Sequence, residues 1–392
     1  MKQLIWNRGR LWALALFAGF ALAVGLSACG SSDSSDSSTS ASSESSETTE
    51  STSAETATID EAAAKAAGFP NYAEFSPPDL STSRPESRIA FLMPETVQTL
   101  QRAIVEGAEA AADKYNVELT VFDAGGYANV TKQVGQFETA IGQGFDGITM
   151  LPASPTSLNA QIKQASDKGI TVTANLIPPE SEDLDFAIFD SLTAEAEIST
   201  AVLAEEIGEE GEVFGLFGGE GSAPNIFYVK GVLNALKKFP KIEMVYRKDF
   251  PAFNPAEAQT AMEDALAAHP DVNAVITNAT SLNPGVQRAL QSAGLESVPT
   301  IGIGPNTKPE IEGIRSGQIV SATLPAFYKS GELIIEWTAA IIDGTKPKAP
   351  LMEIPFLELS PANIEDAIST GAIYYGLTPA QLGCGPGESE EC

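Results

Sequence analysis

The sequence predicts an α/β protein of two similar lobes, each a doubly wound parallel sheet. Three observations carry this. Short β-branched, apolar runs alternate with stretches of helical spacing from Ser87 to Ile342. One repeat of that pattern, Gly147–Asn175 (GITMLPASPTSLNAQIKQASDKGITVTAN), reads as a complete strand–helix–strand unit. The strands are also too many for one open twisted sheet, so two sheets share them.

Within that unit, Ile148–Leu151 has the uninterrupted apolar character of a strand buried on both faces. Pro152 and Pro155 stop it and hold a loop open. Ser157 is the expected N-cap of a helix whose Leu158, Ile162 and Ala165 recur on one face, and Lys168–Gly169 ends it. Ile170–Ala174 is the next strand, with Asn175 at its carboxyl end. Ligands of open α/β sheets bind beyond the carboxyl ends of the strands. Pro152–Thr156 and Asn175–Pro178 are therefore expected lips of a pocket.

The remaining elements follow in order. Lys2, Arg8 and Arg10 precede an apolar run, Leu11–Gly25, too short for a confident membrane span. Leu26-Ser27-Ala28-Cys29-Gly30 comes next and resembles the bacterial lipoprotein cleavage motif. That resemblance implies a signal peptide over 1–28 and a lipid on Cys29. Residues 29–58 are almost wholly Ser, Thr, Asp, Glu and Ala, and read as a disordered tether. Residues 59–86 form an N-terminal extension, with a short helix at Ile59–Gly68 and a Pro- and Ser-rich stretch that wraps the surface. Strands are expected at Arg88–Met93, Glu118–Phe122, Phe186–Asp190, Glu212–Phe217, Glu243–Phe250, Ala274–Asn278, Thr300–Gly304 and Ile319–Leu324. Helices are expected at Thr99–Tyr115, Val130–Gln143, Ala194–Ile207, Ile226–Phe239, Pro255–Ala268, Pro284–Ala293, Pro309–Arg315 and Lys329–Ile342.

Composition excludes several functions. A formal charge of −29 over 392 residues is not that of a nucleic-acid binder. The single histidine, His269, and cysteines confined to Cys29, Cys384 and Cys392 leave no zinc-binding pattern. No cofactor motif is present. Gly218-Gly219-Glu220-Gly221 follows a strand and precedes a helix, but it lacks the Lys-Ser/Thr of a nucleotide loop and reads as a plain connection. Ser222 lacks a nucleophile-elbow pattern. His269 reads as a capping or surface residue. A catalytic role is not expected. In an exported chain, Cys384 and Cys392 are expected to form a disulfide that pins the tail.

The segments SRIAFLMP, GFDGITMLPAS, KGITVTAN, VKGVLNAL, ALAAHPDVNAVITN, TIGIG and SGQIVSATL, in this order and spacing, resemble the type I periplasmic binding proteins of the ribose and galactose group. The resemblance covers about Ser87 to Pro355. It implies two α/β lobes joined by three crossovers, with a ligand held between them. Lobe 1 would comprise 87–190 and 326–354. Lobe 2 would comprise 191–325 and 355–375, leaving 376–392 as a tail. Hinges are expected near Phe189–Leu192, Leu324–Phe327 and Pro350–Pro355.

The resemblance also nominates pocket residues. The loop after the first strand offers Glu95, Gln98, Leu100, Gln101 and Arg102, with Gln98 where sugar binders carry an asparagine. Asn175-Leu176 stands in place of an Asp-Arg pair, and Tyr228 in place of an arginine. Phe253 keeps an aromatic of lobe 2. Asn278 lies one residue from an expected asparagine, and Phe327 beside a lost glutamine. The replacements at the Asp-Arg pair, the arginine and the glutamine reduce the hydrogen-bonding groups of the site. The expected ligand is a small sugar-like molecule with fewer hydroxyls than a free pentose or hexose. The implied role is the lipid-anchored, monomeric binding component of an ABC importer that delivers this ligand to a permease outside the cytoplasm. A ligand-sensing subunit for a membrane receptor or sensor kinase is the alternative.

Overall fold

The structure is a computed structural model and describes residues 59–70 and 80–378. Cys29, the tether, Cys384 and Cys392 lie outside the described residues. Residues 54–392 cluster as one compact unit.

The chain begins with α1 (Glu61–Ala66), capped by Asp60 Oδ1, which accepts the Ala63 N–H at 2.9 Å. Alternation then builds the first sheet through β1 (Ser87–Met93), α2 (Thr99–Lys114), β2 (Val117–Asp123), α3 (Val130–Gln143), β3 (Gly147–Met150), α4 (Asn159–Ser166), β4 (Thr171–Ala174) and β5 (Phe186–Phe189). The second is built through α5 (Leu192–Glu206), β6 (Glu210–Phe217), α6 (Ala223–Leu236), β7 (Lys241–Asp249), α7 (Pro255–Ala268), β8 (Ala274–Thr277), α8 (Asn283–Ala293), β9 (Thr300–Ile303), α9 (Lys308–Arg315) and β10 (Ile319–Pro325). The long helix α10 (Phe327–Ile342), two short strands β11 (Leu351–Glu353) and β12 (Phe356–Leu359), and α11 (Ile364–Ser369) complete the body.

The two sheets repeat one topology. Their orders are β11-β5-β4-β3-β1-β2 and β12-β10-β9-β8-β6-β7. Every pairing is parallel except β10 with β12, which is antiparallel. This corrects the all-parallel expectation. The sequence pattern does not reveal β11 and β12, because each is too short to show a period. The chain passes between the sheets three times: from β5 into α5, from β10 into α10, and from β11 into β12.

Helices cover both faces of each sheet, which explains the uninterrupted apolar strands. In lobe 1, Phe137, Leu158 and Ile162 pack under Ile148 and Leu92 on one face. Phe91, Ile104 and Ile334 lie in the cluster on the other. In lobe 2, Met262 and Val286 pack with Phe214 and Leu216. Helix α10 belongs to lobe 1. It crosses α2 so closely that Gly107 and Gly331 have backbone where a Cβ would stand.

Ser157 does not cap α4. The N-cap position is Leu158, and the Ser157 hydroxyl has no hydrogen-bond partner. The N–H of Asn159 instead reaches the Thr156 carbonyl, which delays the helix. Ser222 is a true cap: its Oγ accepts the Asn225 N–H, starting α6 three residues earlier than its apolar spacing implies.

Candidate functional site

The carboxyl ends of the strands carry the residues singled out above, and the structure sorts them into four groups.

The first group lies after β1. Gln98 donates to Glu95 Oε1 at 3.0 Å, and Gln101 Nε2 lies 3.4 Å from the Tyr127 hydroxyl. Thr96 donates to Asp123 at 2.6 Å. Burial, and then the Asp123 charge, raises the Glu95 carboxyl above its usual range. The Gln101 Oε1 is buried with no partner. Arg102 points to solvent, one turn along the helix and away from this network.

The second group joins β4 to α10. Asn175 is fully buried; its Nδ2 donates to Ser330 Oγ at 3.2 Å, and its Oδ1 is unpartnered. Ser330 in turn donates to the carbonyl of Phe327, itself buried at the start of α10.

The third group closes the β6–α6 loop. Gly218 donates to Asn278 Oδ1 at 2.8 Å, and its carbonyl accepts from Asn278 Nδ2 at 2.9 Å. That leaves Asn278 one Nδ2 hydrogen and one Oδ1 lone pair for anything else. Phe253 lies flat against Gly218 and Gly219, where a Cβ would strike its ring. The N–H groups of Glu220 and Ser222 bond the carbonyls of Phe250 and Gly219. The loop is a knot of internal bonds with an exposed Glu220, consistent with a connection rather than an anion cradle.

The fourth group was not foreseen, apart from Tyr228. Asp190 ends β5, Glu195 lies in the first turns of α5, Thr323 is on β10 and Tyr228 on α6. All are buried. The Asp190 carboxyl and the Thr323 hydroxyl lie against the Glu195 carboxyl, yet the Asp190 Oδ1, both Glu195 oxygens, the Thr323 hydroxyl and the Tyr228 hydroxyl are without a well-formed hydrogen bond. Burial is the main cause holding both carboxyls above their ordinary range, reinforced at Asp190 by the neighbouring Glu195 charge. The available signal was a glutamate on the buried side of α5, among Leu192, Ala196 and Ser199.

Between the lobes, against this last group, is a cavity of about 200 Å³. Leu176, Ile177 and Pro178 wall it from lobe 1, and Phe227 from lobe 2. Phe189, Asp190, Ser191, Leu192 and Thr193 of the first crossover form its floor. Leu176 and Phe227, the chain neighbours of Asn175 and Tyr228, are thus brought together, while Asn175 and Tyr228 themselves do not line the cavity. Glu95, Phe253 and Asn278 are not among the lining residues. His269 is the C-cap of α7, with Nδ1 3.2 Å from Glu212. Among the described residues, no cluster of three His, Cys, Asp or Glu is placed to hold a metal ion.

Residues 89–346 match the periplasmic binding protein domain family. The chain is a periplasmic binding protein. Family members are substrate-binding transport proteins that act outside the cytoplasm. This binding protein is 28% identical over 233 residues to a xylitol-binding protein of Mycolicibacterium smegmatis. That match covers 58% of the chain and 66% of the relative, so it spans just under two thirds of the relative's length. It is 23% identical to the ribose import binding protein of Bacillus subtilis over 62% of the chain and 78% of the relative. In fold it is similar to a carbohydrate transporter solute-binding protein of Agrobacterium radiobacter in complex with D-arabinose. There the TM-score is 0.67 at 20% identity, covering 74% of this chain and all of that one. A solute-binding protein of Bacillus halodurans with bound myo-inositol gives 0.66 at 19% identity, over 72% and 98% of the two chains.

Proposed function

We propose that this periplasmic binding protein captures a small, sugar-like or polyol-like molecule between its lobes and presents it to an ABC permease. The cavity at the first crossover carries the reading. Both lobes contribute walls, so closing them encloses a ligand and opening them releases it. Its volume is room for roughly six waters at ~30 Å³ each, the scale of one small solute. Its walls are more apolar than polar. The ligand it suits bears fewer hydroxyls than a hexose, and the relatives' named ligands, xylitol among them, are of matching size class. Asn175 Oδ1 and the Tyr228 hydroxyl, each one residue from a lining residue, are buried without a partner.

The same reading extends to the anchor. Cys29 would carry the lipid, residues 29–58 would tether the body, and 87–190 with 326–354 and 191–325 with 355–375 would move as the two lobes. Globomycin-sensitive maturation and a mass shift confined to the N-terminal peptide would establish the anchor. An unmodified Cys29 thiol would reject it.

The decisive experiment is native mass spectrometry of the purified protein followed by a thermal-shift screen of polyols, pentoses, hexoses, deoxy sugars and small amines. A ligand at 100 times its dissociation constant stabilises the protein by about 2.7 kcal/mol. A shift with a small polyol or deoxy sugar supports the reading. No shift with any class refutes it.

A further inference from the structure

We propose that the Asp190–Glu195 pair is a recognition subsite for a cationic nitrogen, so that the molecule captured in the cleft is an amine-bearing one, such as an amino polyol. This deepens the reading above and rests on it.

The argument begins with what surrounds the two carboxyls. Asp190 lines the cavity, and its N–H is fixed to the Leu176 carbonyl at 2.9 Å, directly beside the lobe 1 wall. Glu195 stands behind it with no solvent exposure. Thr323 from β10 and Tyr228 from α6 close the sides. The charge that reaches the pair from the third crossover is Glu353 on β11, again negative. Among the described residues, no lysine, arginine or histidine nitrogen comes within 4 Å of either carboxyl, whereas ten other side-chain pairs do make such contacts. Buried carboxylates are ordinarily paired, because an isolated buried charge is strongly unfavourable.

The second observation is the set of orphaned oxygens. Asp190 Oδ1, Glu195 Oε1 and Oε2, Tyr228 Oη and Thr323 Oγ1 are all buried without a well-formed hydrogen bond, the two carboxyls and the Thr323 hydroxyl facing one another. The set is rich in acceptors and lacks a charged donor. An ammonium supplies three hydrogen-bond donors and the missing charge in one group. The rest of the cavity suits what such a group is attached to. Leu176, Ile177 and Leu192 accommodate alkyl carbons, Phe189 and Phe227 offer ring faces that attract a cation, and Ser191 and Thr193 can pair hydroxyls. In the same lobe, at the carboxyl ends of β1 and β2, Glu95 and Asp123 form a second acidic couple.

Burial raises both carboxyls above their ordinary range, so a proton and a cation compete for the pair. A cation entering the subsite takes the place of a proton, which leaves to solvent. Affinity for an amine therefore rises with pH as long as the amine stays protonated.

The test compares 2-amino-1,3-propanediol with glycerol, which differ by one amine in place of one hydroxyl, by isothermal titration on the purified protein, at about pH 6 and about pH 8. The expected result is at least tenfold tighter binding of the amine at the higher pH, about 1.4 kcal/mol, with a smaller margin at the lower pH and measurable proton release. Glu195→Gln should abolish the amine preference. The wild-type pH series carries the same test should that variant fold poorly. Equal or tighter binding of glycerol at both pH values overturns the subsite and leaves the carrier reading standing. Stabilisation by calcium or potassium chloride alone, blocking the amine, assigns the pair to an inorganic cation and overturns it too. Silence from polyols, sugars and amines alike overturns both.

Discussion

Replacing Gly107 by alanine should destabilise the protein although alanine is the better helix former. Gly107 lies in α2 where α10 crosses it. A Cβ there would stand 2.0 Å from the Tyr328 carbonyl oxygen and 3.1 Å from the Glu332 nitrogen. The contact is reciprocal, since a Cβ on Gly331 would stand 1.9 Å from the Ile104 carbonyl oxygen. A comfortable carbon contact needs about 3.5 Å, so the helices must part by roughly 1.5 Å. The obstacle is backbone, which no rotamer change can clear. Overpacking of this kind costs about 1–3 kcal/mol, and we place it at the upper end. The gain in helix propensity is about 1 kcal/mol. The net loss is about 2 kcal/mol, or a fall of roughly 4–8 °C in the melting temperature. Gly142 in α3 is the matched control. It is exposed and nothing lies within 4 Å of its Cβ position. Gly142→Ala should stabilise by about 0.5–1 kcal/mol. Circular dichroism melts of the two variants should therefore move in opposite directions. A Gly107→Ala protein that melts at or above the wild type would show that the α2–α10 crossing is looser than the structure has it.

Three further outcomes are expected. Arg84 is nearly enclosed, grips Asp343 with two nitrogens at 2.7 and 2.8 Å, and donates to Ser87 Oγ. Arg84→Met should lower stability by about 1–3 kcal/mol in urea denaturation, the partial exposure of Asp343 keeping it below the cost of breaking a fully buried pair. Asn278→Ala leaves the Gly218 N–H without its partner and should cost about 1–3 kcal/mol; an unchanged melt with lost ligand affinity would instead make Asn278 a direct reader of ligand. Asp190 and Glu195 both titrate above their ordinary range. The folded state then holds protons that the unfolded chain has released. Ligand-free stability should fall as pH rises from about 4 upward, and Glu195→Gln should flatten that slope.

The fold was legible because its signal is repeated. A single βαβ unit such as Gly147–Asn175 is weak evidence, but each strand–helix pair reports the same burial on two faces. Helices α3 and α7 begin and end where their patterns do, Val130–Gln143 and Pro255–Ala268. Errors gathered at ends, where one hydrogen bond decides. Ser157 and Ser222 look alike in sequence, each a serine before a helical pattern. Only Ser222 has its hydroxyl turned to the third N–H, and that choice depends on tertiary packing. The helix-borne glycines told more than their propensities suggest. Gly107 and Gly231 occupy corresponding places in α2 and α6, and each has backbone within 2.3 Å of its missing Cβ, the Tyr328 oxygen in one lobe and the Thr193 oxygen in the other. The repeated glycine marks a repeated helix crossing.

The site was less legible, for a physical reason. Resemblance assigns roles position by position, and positions whose residues have been replaced say only what is missing. Losing an arginine at Tyr228 and an Asp-Arg pair at Asn175-Leu176 reads, residue by residue, as lost polarity. The structure adds what took its place. Tyr228 lies within electrostatic reach of Glu195, which the resemblance does not nominate because no motif residue of the sugar binders falls on it. Leu176 supplies, through its carbonyl, the bond that fixes Asp190. The cationic side chains have left the centre of the cleft while two carboxyls have been enclosed beside it. Positive charge is therefore what the protein no longer provides there. A neutral polyol offers the enclosed carboxyls no counter-charge, whereas a charged amine does, and that difference in electrostatics, together with a low count of hydroxyls, is what should divide ligands from non-ligands.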